Sequence, residues 1–131
     1  MLLCSVRVMF LGLRTVVYPV DDLQAAKRWW SAVLGIEPYF DEPFYVGYNL
    51  GGYELALDPD GHSENGPGPV TYWGVEDVDQ AAAALQKEGA SVHAAVTDYG
   101  GGIRTAILKA PDGTLVGVIE NPHFPGPVPV N

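Results

Sequence analysis

The sequence predicts an α+β fold made of two tandem βαβββ modules. Two observations carry this. A short pattern occurs twice: Val20-Asp21-Asp22-Leu23 opens an Ala-rich helical stretch that stops at Leu34-Gly35, and Val75-Glu76-Asp77-Val78 opens another that stops at Glu88-Gly89. Each follows an apolar, strand-like run, and each is followed by a hairpin signal, at Gly51-Gly52 and at Pro111-Asp112-Gly113. A period of about half the chain means two copies of one supersecondary unit, since a solenoid needs at least three. Paired units share a surface, and ligand clefts form at such surfaces.

Leu13 to Val20 is the first strand, rich in β-branched residues. Asp21 or Asp22 caps the next helix by accepting a bond from a free backbone N–H. Leu23, Ala26, Trp30, Val33 and Leu34 then share one face, with Trp29 widening the stripe, and both tryptophans are read as core. Gly35 sits where a left-handed cap is wanted. Pro38 to Asp41 is a short edge strand, because proline cannot donate to a ladder. Phe44 to Leu50 and Tyr53 to Leu57 pair through the Gly51-Gly52 turn. That turn sets Leu50 opposite Tyr53, Asn49 opposite Glu54 and Gly47 opposite Ala56. Val46, Tyr48, Leu50, Leu55 and Leu57 therefore face the helix, while Tyr45, Gly47, Asn49, Glu54 and Ala56 face the other way.

Asp58 to Pro69 reads as a stiff Gly/Pro loop between the modules. Val70 to Val75 is the second module's first strand. Asp77 caps a helix with Val78, Ala81, Ala82 and Leu85 on one face. Ser91 to Thr97 and Ile103 to Leu108 are strands separated by Asp98-Tyr99-Gly100-Gly101-Gly102, whose three glycines make a mobile or closely approached loop. Thr114 to Glu120 closes the module. The modules run over about 13–58 and 70–121 of a single domain, with an N-terminal extension over 1–10 and an extended Pro-rich tail over 122–131.

The formal net charge is −9. It disfavours nucleic acid and anionic membrane surfaces as partners, and serves either solubility or a preference for cationic ligands. Cys4 is the only cysteine, so no intrachain disulfide can form and a cytoplasmic location is expected. Arg7 and Arg14 interrupt the apolar start, so neither a membrane span nor a cleavable leader is expected, and Met9 is a candidate natural start.

The order of Val20-Asp21-Asp22-Leu23, Trp29-Trp30 with Val33-Leu34-Gly35, Gly52-Tyr53-Glu54-Leu55, Val75-Glu76-Asp77-Val78, Gly102-Ile103-Arg104 and Ala110-Pro111-Asp112-Gly113 resembles the vicinal-oxygen-chelate superfamily. That superfamily includes glyoxalase I, bleomycin-resistance proteins and extradiol dioxygenases. The resemblance implies a cupped mixed sheet with helices outside and a metal-and-ligand site in the cup. It also implies a homodimer. Its four metal positions fall, by local matching, on Thr15, Glu54, Val70 and Gly117, of which Glu54 alone can ligate. His62, His93 and His123 lie elsewhere. No metal and no other cofactor is therefore expected.

Strand parity puts Thr15 and Val17 on the Glu54 face, with Tyr72 equivalent in the second module. With Tyr45 and Asn49 they line an apolar cavity with a few polar handles. Glu54 reads two ways: a proton carrier or anchor for a ligand amine, or a polar group satisfied by Asn49 or Tyr72. Tyr45 and Tyr72 can stack on a flat ligand, Tyr18, Tyr48 and Tyr53 are placed under helices, and Tyr99 can close over the cup. Arg104 is read first as a structural ion pair, and second as a partner for a ligand carboxylate or Glu54. These residues favour a metal-free protein that binds a small, cationic or aromatic molecule. The alternatives are a metal-independent isomerase or lyase using Glu54, and an interaction module with a vestigial cup and the tail as partner arm.

Overall fold

A computed structural model describes residues 10–122. The extension before Phe10, Cys4, His123 and the tail's later prolines lie outside these residues. The described chain is α+β, with eight strands and three helices, and divides into two compact units. One covers 15–70, the other 10–14 with 71–122. Each has the strand-helix-three-strand order.

The first unit takes β1 (Gly12–Pro19) from Thr15 onward, α1 (Leu23–Leu34), β2 (Phe40–Glu42), β3 (Tyr45–Leu50), β4 (Tyr53–Asp58) and α2 (Gly61–Asn65). Its strands lie in the order β2-β3-β4-β1. β1 and β4 are parallel, and β4-β3 and β3-β2 antiparallel. The Gly51-Gly52 turn, with both glycines at positive φ, delivers the register the sequence implies, Leu50↔Tyr53, Asn49↔Glu54 and Gly47↔Ala56. Asp22 caps α1 through Ala25 N–H, and Gly35 ends it in the left-handed conformation. Leu23, Val46, Tyr48, Leu55 and Leu57 form the core between α1 and the sheet. Burying one such side chain contributes about 1.5–3 kcal/mol.

Three expectations for this unit need correction. Trp29 and Val33, one turn apart on α1, are 59% and 57% exposed. Neighbours on a helix point about 100° apart, and Trp30 takes the inward place, stacked on Tyr18 at 5.6 Å. Tyr53 is exposed rather than under the helix, because it begins its strand. The Asp58–Pro69 link is not all loop, since it contains α2. There Gly61 lies so close to Pro19 that a Cβ would come within 2.7 Å of the proline Cβ, and His62 Nδ1 meets Asp21 Oδ1 at 2.9 Å. Contacts distant in sequence, not local propensity, make this short helix.

The second unit takes β5 (Val70–Gly74) from Thr71 onward, α3 (Val78–Lys87), β6 (Ser91–Gly100), β7 (Ile103–Lys109) and β8 (Leu115–Glu120), with strands in the order β5-β8-β7-β6. Asp77 caps α3 through Gln80 N–H. Leu11 N–H donates to the Gly74 carbonyl at 2.8 Å, and Phe10 stacks on Trp73 at 4.8 Å, which ties residues 10 and 11 to this unit. The expected glycine loop is a hairpin end: β6 runs to Gly100, and Asp98 Oδ1 accepts the Gly100 N–H. A Cβ on Gly102 would lie 2.8 Å from Pro122 Cγ, so the turn is closely approached rather than open. Among the described residues no helix is long and apolar enough to cross a membrane.

Candidate functional site

The helix-packed core takes one face of the first unit's sheet, so alternation leaves Tyr45, Gly47, Asn49, Glu54 and Ala56 on the opposite face. Residues paired directly across strands share a face. Thr15 pairs with Glu54 and Val17 with Ala56 from β1; Phe40 pairs with Gly47 and Glu42 with Tyr45 from β2.

Glu54 is 7% exposed. Its Oε1 accepts hydrogen bonds from Thr15 Oγ1 at 2.7 Å and Tyr45 Oη at 3.2 Å, and its Oε2 from Tyr39 Oη at 2.5 Å. Gly47 makes room beneath. A Cβ there would lie 2.5 Å from Glu54 Oε2 and 3.1 Å from Tyr39 Cε1. The Tyr39 N–H donates to the Gly47 carbonyl at 3.0 Å and holds the tyrosine's backbone beside that gap. Burial, then the hydrogen bond to Glu54 and its charge, push the Tyr39 phenol above its ordinary range. It therefore keeps its proton at neutral pH and stays the donor.

No ion pair among the described residues reaches Glu54. Lys27 is engaged by Asp41 at 3.0 Å and His62 by Asp21 at 2.9 Å. The two tyrosines that bond the carboxylate belong to an aromatic collar. Phe40 contacts Tyr39, Phe44 and Tyr45 with centroids 6.5, 6.1 and 5.9 Å away, the last two edge-on. Tyr39, Phe40 and Phe44 are 52%, 38% and 60% exposed.

The structure thus brings Thr15, Tyr45 and Glu54 together, with buried Val17 two residues along β1 on the same face. Asn49 does not bond Glu54 across the hairpin: its Oδ1 accepts the Gly52 N–H at 3.0 Å and braces the turn. In the second unit, Tyr72 lays its ring over Gly117, where a Cβ would come within 2.5 Å of Tyr72 Cδ2. Tyr99 is exposed near the end of β6. Arg104 donates to Asp79 Oδ2 at 2.6 Å and to Glu120 Oε2 at 2.9 Å, and the same Glu120 oxygen accepts Val78 N–H at the start of α3. Hydrogen bonding to Asp79, the largest influence, raises the Arg104 pKa. Arg104 is thereby a structural tie between β7, β8 and α3. Tyr39, Phe40 and Phe44 are the site residues that sequence reasoning missed. The available signal was Gly47, a glycine inside a strand beside a carboxylate, which marks close approach by another group.

A family model described as the glyoxalase/bleomycin resistance protein/dioxygenase superfamily matches residues 12–118. The chain belongs to this superfamily. Three solved structures illustrate the shared fold. A superfamily member from Vibrio splendidus 12B01 is 22% identical, with TM-score 0.65 over 83% of this chain and 99% of that one. A Streptomyces coelicolor methylmalonyl-CoA epimerase variant, in complex with 2-nitronate-propionyl-CoA, is 20% identical, with TM-score 0.68 over 90% and 99%. A hypothetical protein from Bacillus halodurans C-125 is 13% identical, with TM-score 0.68 over 91% and 97%. No curated protein matches the chain.

Metal-dependent glyoxalase-superfamily chemistry needs several nitrogen or carboxylate donors around one ion. β1 and β4 end with Val20 N–H on the Asp58 carbonyl; β5 and β8 end with Val75 N–H on the Ile119 carbonyl. Stepping back from those bonds, the counterparts of Thr15 and Glu54 are Val70 and Leu115, one step before the Thr71↔Val116 pair. By register the counterpart of Glu54 is therefore Leu115, two residues before Gly117, the position the resemblance implies, and on the same side of the strand; Gly117 has no side chain. Neither Val70 nor Leu115 has a side-chain donor atom. No three His, Cys, Asp or Glu side chains gather among the described residues. The donor set does not fit a transition-metal ion.

Proposed function

We propose that this member of the superfamily binds a small organic cation, without a transition metal, on the Glu54 face of its first unit. The observation that carries the reading is a nearly buried carboxylate met by three neutral hydroxyls and, among the described residues, by no cationic side chain. Buried charges in proteins are normally paired, because leaving water costs them several kcal/mol. A positively charged ligand supplies the missing partner, and the exposed rings beside Glu54 supply apolar and cation–π contact. The chain's overall acidity favours approach by cations.

The hydroxyls argue against Glu54 as the proton carrier of an isomerase or lyase. A carboxylate has about four lone-pair positions, and Thr15, Tyr39 and Tyr45 occupy three of them. A carrier must aim a lone pair at the reacting carbon and exchange its proton there.

The test is a thermal-shift screen of small organic cations against the purified chain and Glu54→Gln, each before and after dialysis against a chelator. We expect cation-dependent stabilisation that Glu54→Gln abolishes and dialysis leaves intact. Loss of the response on dialysis, with recovery on adding zinc, nickel or iron, would overturn the metal-independent reading. Turnover that disappears in Glu54→Gln while ligand affinity persists would restore the proton-carrier role.

A further inference from the structure

The way Glu54 is held has a consequence for the kind of cation that fits. Its hydroxyl partners leave about one lone-pair position open. The carboxylate thus offers negative charge but little capacity to accept hydrogen bonds. A primary ammonium carries three N–H donors and is strongly hydrated, so it loses its water here and finds too few acceptors. A fully alkylated ammonium has no N–H to satisfy. It needs charge and polarisable surface, and the collar provides the latter: Phe40 and Phe44 meet edge-on, beside Tyr39 and Tyr45.

We propose that the Glu54 face selects quaternary, N-alkylated cations over primary ammonium ions of the same skeleton. This rests on Glu54 being the anchor of the site. Charge complementarity commits the face to a soluble small cation rather than to a second copy of this chain, whose own net charge is −9.

The experiment is calorimetric titration of the full chain with benzyltrimethylammonium and with benzylammonium at matched ionic strength. It is repeated in Phe44→Ala, Phe40→Leu and Glu54→Gln after circular dichroism confirms folding. Phe44 is largely exposed, so its variant folds even if the Glu54 variant does not. The trimethyl probe is expected to bind about tenfold tighter, and each ring variant to narrow that preference about threefold, the scale of one cation–π contact. Equal affinities, or a preference that survives both ring variants, would overturn the selectivity. Tighter benzylammonium binding that still requires Glu54 would overturn it too, while sparing the cation-binding reading. Absence of Glu54-dependent binding by either probe removes both. A dimer seen by light scattering, split by Phe44→Ala and indifferent to both probes, assigns the face to a second copy and also overturns the proposal.

Discussion

Gly47 lets a carboxylate lie against the first unit's sheet. Its φ is not positive, so alanine meets no backbone penalty, and replacing a strand glycine is ordinarily neutral or mildly stabilising. Here the added Cβ would sit 2.5 Å from Glu54 Oε2. Gly47→Ala is therefore expected to lower stability in urea unfolding by about 1–3 kcal/mol, the usual cost of overpacking, and to weaken cation binding with it. A variant at least as stable as the parent would show that Glu54 moves aside freely. The pairing of Gly47 with Ala56 and the placing of Glu54 beside them were legible, because a two-residue turn fixes register. Tyr39 was not: its hydroxyl reaches Glu54 from a segment whose position depends on how β2 folds back, which no local pattern encodes.

Elements with strong end signals came through intact. Asp22, Gly35 and Asp77 each do at a helix end what their type predicts. α2 lacked such a signal, since Asp60 makes no side-chain cap there. The turn that leads into α2 carries a measurable cost. Burial raises the Asp58 pKa above its ordinary 3.8, and the Asp60 charge adds to this, while the Asp60 N–H on its Oδ1 opposes it. The folded state thus holds the proton more tightly than the unfolded chain. Stability falls as pH rises from the unfolded value through the folded one, and the loss persists at pH 7. Asp58→Asn keeps an acceptor for the Asp60 N–H and removes the charge. Its melting temperature at pH 7 should exceed the parent's, by less than about 1 kcal/mol in stability because the group is partly solvated. The gap should close as the pH is taken below about 3.8. A gap independent of pH would mean that the benefit has another source.

Across the whole molecule the repeat is more regular in backbone than in packing. Both units end their parallel pairs on the same kind of bond, from Val20 to Asp58 and from Val75 to Ile119. The β6–β7 hairpin of the second unit is longer than the β2–β3 hairpin of the first. The cores differ in substance. The first unit buries Tyr48, Leu57 and Val46 completely and adds Trp30 and Tyr18. The second relies on Ala81, Ala82 and Ala106 around Val78, Leu108 and Val118. It leaves a groove of about 230 Å³ bordered by α3, β6 and β7, lined in part by Ala82, Ala94 and Leu108. β6 also pairs through several register shifts. Small side chains bury less apolar surface per residue, and an irregular edge strand has fewer bonds to lose on opening. Native-state hydrogen exchange should therefore show amides of β6 and α3 exchanging through openings of lower free energy than those of β3 and β4. If all four elements share one opening free energy, the molecule opens only as a whole and the packing difference has no energetic weight.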